Sequence, residues 1–123
     1  MNTLKLSKLI HTWLVDIDGT LVFHNGHKNN GDMLLSGIKE FWSSIPENDV
    51  IILLSARTSD EQEETLNFLV SNGLRFNHAI FNLPTGERIL INDIKPKGLN
   101  TAIAVNIHRN TGLSNFEINF TND

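Results

Sequence analysis

The chain has 123 residues, 40% of them hydrophobic, a formal net charge of −4 and no cysteine. These values fit one soluble domain with a single core. They exclude disulfide frameworks, zinc ribbons, iron–sulfur clusters and thiol catalysis, and they disfavour non-specific binding to nucleic acid or an anionic membrane. No apolar run approaches the roughly 18 residues a membrane-crossing helix requires. Polar residues interrupt the first 19 positions before a signal-peptide core forms, so a mature cytoplasmic sequence is expected.

Thr12–Val15 is a short apolar run ending at Asp16, the pattern of a strand buried on both faces. Residues 21–31 carry turn formers and predict a loop or small hairpin. Ile38, Phe41, Trp42 and Ile45 recur at helical spacing, predicting a helix from about Ser36 to Ile45, with Ser36 as N-cap and Pro46 as the stop. Val50–Leu54 is the most strand-like segment and is expected to be central in a sheet. It ends at Ser55-Ala56-Arg57.

Thr58 and Glu61 then form a capping-box pattern at the start of a second helix, whose inner stripe is Leu66, Leu69 and Val70 and whose end is marked by Gly73. Glu61, Glu63 and Glu64 suit the positive end of that helix. Further strands are predicted at His78–Phe81, at Arg88–Ile91 running into Asn92-Asp93, at Thr101–Ile107 and, as an edge, at Phe116–Phe120. The alternation of strands and helices predicts an α/β protein, Rossmann-like, with a mainly parallel sheet and flanking helices, in one domain over residues 1–123. Trp13 and Trp42 are expected in the core, whereas His108 and Arg109 have no assignable role.

Three predicted strand ends carry polar residues: Asp16-Ile17-Asp18-Gly19-Thr20, Ser55-Ala56-Arg57 and Asn92-Asp93. In an open parallel sheet, ligands bind beyond the carboxyl ends of the strands, where these clusters would meet. Alternation puts Asp16 and Asp18 on one side of the chain, and Gly19 allows a sharp turn there. Two carboxylates 4 Å apart repel by about 4 kcal/mol at an effective dielectric near 20, and Asp93 would add to this. Such a cluster calls for a cation or shared protons. Oxygen-only ligation suits Mg²⁺.

The segment VDIDGTL resembles the first motif, DxDGT, of the haloacid dehalogenase superfamily. Ser55 at the end of a central apolar strand is similar to its second motif, and Asn92-Asp93 to its acidic fourth motif. The resemblance spans residues 12–97 with the motifs in family order. The surroundings, FHNGH and INDIKPKGLNTA, resemble small phosphatase-like members associated with bacterial surface polysaccharide genes.

The resemblance implies a haloacid-dehalogenase-like core and a Mg²⁺-dependent phosphomonoester hydrolase. Asp16 would be the nucleophile that forms an aspartyl-phosphate, and Asp18 the general acid and base. Mg²⁺ would be held by Asp16, Asp18 through its carbonyl, and Asp93. Phosphate would be bound by Gly19, Thr20, Ser55 and a lysine. The family's lysine usually lies between the second and fourth motifs, where this chain has only Arg75 and Arg88. Lys95 is the expected substitute, with Lys97 and Arg57 as rivals. His24, His27 and Arg57 are candidate substrate contacts.

The expected substrate is a small phosphorylated metabolite such as a sugar phosphate. Nucleotide or polynucleotide 3′-phosphate ends stay open, though the acidic charge disfavours nucleic acid, and no membrane partner is expected. A catalytically weak binding module is the alternative. A receiver-type phospho-switch is disfavoured because Ser55 stands where an aspartate would accept phosphate. Neither gap between motifs is long enough for a cap domain. The site is therefore expected to be open, closed at most by the 21–31 loop or by a second subunit of a homo-oligomer.

Overall fold

A computed structural model describes residues 1–28 and 31–121. Asn29 and Asn30 of the 21–31 loop and the last two residues of the C-terminal tail lie outside the described residues. Along the chain run β1 (Asn2–Leu6), β2 (Thr12–Asp16), a 3₁₀ turn (Gly26–Lys28), α1 (Ile38–Ser43), β3 (Val50–Leu54), a 3₁₀ turn (Ser59–Glu61), α2 (Gln62–Ser71), β4 (His78–Ile80) and β5 (Phe116–Phe120). The protein is a small α/β structure with parallel sheets and flanking helices. Among the described residues no helix is long and apolar enough to cross a membrane.

β3 is the middle strand of a three-stranded parallel sheet, ordered β2-β3-β4, as its apolar run predicts. The register sets Val15 beside Leu53 and Ala79, and Asp16 beside Leu54 and Ile80. Ile51 and Leu53 point into the core, where they join Ile38, Phe41 and Trp42 of α1, Leu69 of α2, and Ile17, Leu21 and Val22 of the turn after β2. The Trp13 ring meets Phe41 edge-on at 5.9 Å. The opposite sheet face corrects the expectation of strands buried on both sides: Leu14 and Ile80 are each about half exposed.

Three other expectations are corrected. The predicted edge strand forms at Phe116–Phe120, but its partner is a strand that the sequence pattern does not announce: β1 pairs in parallel with β5 in a separate two-stranded sheet. The segments Arg88–Ile91 and Thr101–Ile107 are not strands, and most of residues 83–107 are exposed; Ile91 is 88% exposed. A four-residue apolar run has strand character only when a neighbouring strand takes its hydrogen bonds, and no local pattern supplies that neighbour.

Finally, α1 starts later than predicted. Its N-cap is Gly37, with φ of 76°, and the Ser36 carbonyl instead accepts the Leu113 N–H at 2.8 Å. The backbones cross so closely here that a Cβ on Gly37 would lie 2.4 Å from Ser114 N, and one on Gly112 2.1 Å from Ser36 O. The second helix is borne out in part: the Thr58–Glu61 capping box forms, on the 3₁₀ turn that leads into α2, and the helix runs to Ser71, just before Gly73. Of its expected inner stripe Leu69 is fully buried and Leu66 packs against the core, but Val70 is 61% exposed.

Asp49, 2% exposed, ties β2 to the start of β3. It accepts the His11 N–H at 3.0 Å and the Trp13 indole N–H at 2.9 Å, and it lies 2.9 Å from His11 Nδ1. Burial by itself would push its carboxyl up. The donors from His11 and Trp13 outweigh burial and hold it below the ordinary carboxylate range. A depressed folded-state value contributes stability that is complete above the ordinary range and is lost as pH falls through the folded value. Asp49→Ala strands buried donors at a cost of about 3 kcal/mol. It should lower Tm by about 10 °C near neutrality, with the gap narrowing below about pH 4. A gap that stays constant with pH in scanning calorimetry would contradict this account.

Candidate active site

The register that sets Asp16 beside Leu54 makes two adjacent parallel strands end together. The chain after β2 therefore meets Ser55-Ala56-Arg57 at the carboxyl edge of the sheet. Ile17, fully buried, anchors the turn: its carbonyl accepts the N–H groups of Thr20, Leu21 and Val22 at 2.9–3.3 Å. With Ile17 pinned inward, alternation turns Asp16 and Asp18 away from the core. The Gly19 N–H donates to the Val22 carbonyl at 2.7 Å, which closes the turn; Gly19 has φ of 79°, where a side chain would be strained.

Asp16, 36% exposed at its side chain, has both oxygens engaged. The Thr20 hydroxyl donates to Oδ2 at 3.0 Å, and the Arg88 guanidinium donates to Oδ1 at 2.7 Å. Asp18 is held more firmly. Arg57 Nε and Nη2 grip its two oxygens at 3.0 and 2.8 Å. The same guanidinium binds both oxygens of Asp32, at 2.9 and 2.8 Å, and the Thr65 hydroxyl at 2.9 Å. The Arg57 side chain is 3% exposed and that of Asp32 8%. Burial opposes the charge on Arg57, but the hydrogen bonds to Asp32 and Asp18 prevail and raise its pKa, so the guanidinium stays charged.

Ser55 is buried and its Oγ accepts the Arg57 N–H at 3.0 Å. His27 Nε2 lies 2.6 Å from Glu61 Oε2, and Nδ1 lies 4.0 Å from Asp18 Oδ1. Both are ion-pair distances without hydrogen-bond alignment. The Thr58 N–H and hydroxyl hold the Glu61 carboxyl below its ordinary range, with His27 adding to the effect. Around the strand ends, then, four carboxylates (Asp16, Asp18, Asp32, Glu61) face two guanidiniums and an imidazole.

The structure thus brings together Asp16, Asp18, Gly19, Thr20, Ser55, Arg57 and His27. His24 is exposed, and its backbone N–H donates to Asn110 Oδ1 at 2.8 Å. Asn92-Asp93 does not end a strand. Asp93 lies on an exposed segment, where its carbonyl accepts the Thr101 hydroxyl and Asn92 Nδ2 donates to the Thr101 carbonyl at 3.2 Å. Lys95 and Lys97 lie on the same exposed segment, with the Lys95 N–H donating to the Leu99 carbonyl at 2.9 Å. Among the described residues, no three acidic, histidine or cysteine side chains converge as a metal site.

Sequence reading misses two residues. Arg88 is visible as one of only two cations between the second and fourth motifs, but its apolar neighbours place it in a predicted strand. Asp32 carries no signal, because its partner Arg57 lies 25 residues away. Comparison of the chain with protein-family models, curated proteins and solved structures finds no match.

Proposed function

We propose that this protein is a phosphomonoester hydrolase of the haloacid dehalogenase type, acting through an aspartyl-phosphate on Asp16, with a sugar phosphate or related metabolite as substrate. One observation carries the reading. Two carboxylates flank a buried Ile17 at the end of one parallel strand, and the Ser55 hydroxyl sits at the end of the next. In this reading an oxygen of Asp16 attacks phosphorus and the bond from phosphorus to the leaving oxygen breaks. The leaving oxygen takes a proton from Asp18. Water then attacks phosphorus, Asp18 takes its proton, and the bond from Asp16 oxygen to phosphorus breaks to release phosphate and restore the carboxylate.

The other residues support these steps. Ser55 donates to a phosphoryl oxygen, and the turn backbone at Gly19 and Thr20 approaches the same group. We assign the cationic role to Arg88, because its guanidinium already lies on Asp16 whereas Lys95 makes its backbone contact within its own segment. Before Asp18 can exchange a proton, one of its oxygens must come free of Arg57. Asp16 and the Asp18 carbonyl are hard oxygen donors of the kind Mg²⁺ takes. The third expected ligand, Asp93, lies on an exposed segment outside the sheet. Mg²⁺, when bound, supplies neutralisation of charge on the phosphoryl oxygens.

A second reading, a phosphate-binding module without turnover, is favoured by the commitment of Asp16 to Arg88 and of Asp18 to Arg57. Phosphate release from an aryl phosphate separates the two. The hydrolase reading expects multiple turnovers that need Mg²⁺ and stop on chelation. Saturable binding of inorganic phosphate by protein that shows no turnover would replace it with the binding module.

A further inference from the structure

The turn His108–Thr111 lies against the Asp18-Gly19-Thr20 turn. The Asn110 N–H donates to the Gly19 carbonyl at 2.9 Å, and Asn110 Oδ1 accepts the His24 N–H at 2.8 Å. The turn is closed by the Thr111 hydroxyl, which donates to the His108 carbonyl at 2.7 Å. Asn110 has φ of 66°, a left-handed conformation that asparagine tolerates better than most residues. On the far side the chain is fixed by the close crossing of Gly112 with Ser36. The turn is therefore held from both ends.

Arg109 is the residue that this anchoring positions. Its Cγ would lie 3.0 Å from a Cβ on Gly19, so its aliphatic stem rests where only glycine leaves room. Its guanidinium differs from the other two at the strand ends. Arg57 is committed to Asp18 and Asp32, and Arg88 to Asp16. Arg109 is exposed, and among the described residues no carboxylate lies within ion-pair distance of it.

The positions of the two outer guanidiniums divide the work. Arg88 faces Asp16, where a phosphoryl group would sit. The Arg109 stem and Nε lie against Gly19, the residue that follows Asp18, the proposed acid for the leaving group.

We infer, resting on the hydrolase reading above, that Arg109 is a specificity residue: it binds a second oxyanion, a carboxylate or a phosphate, carried by the leaving group of a phosphomonoester. A guanidinium presents a planar fork of donors that matches either oxyanion. The substrate class is thus a doubly anionic phosphomonoester rather than a neutral alcohol's phosphate.

Steady-state kinetics on phenyl phosphate, the isomeric carboxyphenyl phosphates and the phenylene bisphosphates test this. The wild type should prefer at least one doubly anionic compound over phenyl phosphate by about tenfold or more in kcat/KM, mainly through KM, and the preferred compound identifies the oxyanion. Arg109→Gln, which keeps most of the stem over Gly19, should abolish that preference, and Arg109→Lys should retain part of it. An equal loss on every substrate in Arg109→Gln would reduce Arg109 to a packing residue and overturn the inference. So would a wild type without preference. Failure of the wild type to release phosphate from any of these compounds overturns the hydrolase reading itself, and the inference with it.

Discussion

Asp16→Asn should reduce phosphate release from an aryl phosphate by about 10⁴-fold or more, the order seen when a covalent nucleophile is removed. The size follows from the chemistry: an amide oxygen is a poor nucleophile, and no neighbouring group can replace it. Asp18 is gripped through both oxygens by Arg57, and the turn anchored on Ile17 holds it two residues from the attacking position. Stability should change little. The amide oxygen of the variant can still accept from the Thr20 hydroxyl or from Arg88, and the Asp16–Arg88 pair, each about one-third exposed, is worth little as an ion pair. The check has two parts: turnover, and the phosphate adduct trapped by acid quench in the wild type. The variant should show neither at unchanged Tm. Full activity in Asp16→Asn would remove Asp16 as the nucleophile.

The second large effect is on stability. Arg57→Met should cost about 3–5 kcal/mol, the range for removing one partner of a buried charged network. For a chain of this length that corresponds to a fall in Tm of roughly 10–20 °C. The cause is not the loss of one attraction. Asp18 and Asp32 share the same guanidinium, and without it one nearly buried and one partly buried carboxylate are left unpaired. Asp32→Asn in the Arg57→Met background should therefore recover part of the loss, a coupling that a double-mutant cycle in thermal unfolding measures. Strict additivity of the two substitutions would show that the carboxylates do not interact through Arg57. The same network fixes the loop carrying Asp32 to the end of β3, so the loop after β2 is joined to the site by charge as well as by the packing of Leu21 and Val22.

How legible was this arrangement? The strands β2, β3 and β4, the second helix with its capping box, and the meeting of Asp16 and Asp18 with Ser55 all follow from local pattern. A buried apolar run, a turn residue after it and an N-cap are each decided within a few positions. β1 is hidden in the sequence because its lysine and asparagine disguise a strand whose partner, β5, lies more than 100 residues away. The predicted strands at Arg88–Ile91 and Thr101–Ile107 fail in the opposite sense, since their apolar residues have no neighbouring strand. Ser36 is a fair N-cap by type, but its carbonyl is taken by Leu113 across the Gly37–Gly112 crossing.

The site divides along the same line. The sequence alone determined the pair of carboxylates, their common side of the chain, the serine at the neighbouring strand end and the α/β class, because each depends on spacing along one strand or helix. Only the tertiary structure decided the partners. Arg57, expected as a rival cation for substrate, is committed to Asp18 and Asp32. Arg88, expected within a strand, lies on Asp16. Arg109, with no role assignable from sequence, rests over Gly19 (its neighbour Asn110 makes the fixing contact). Ion pairs between residues 25 to 72 positions apart leave no periodic trace in a sequence. Their geometry is set by where the chain returns, and that is decided by packing across the whole fold.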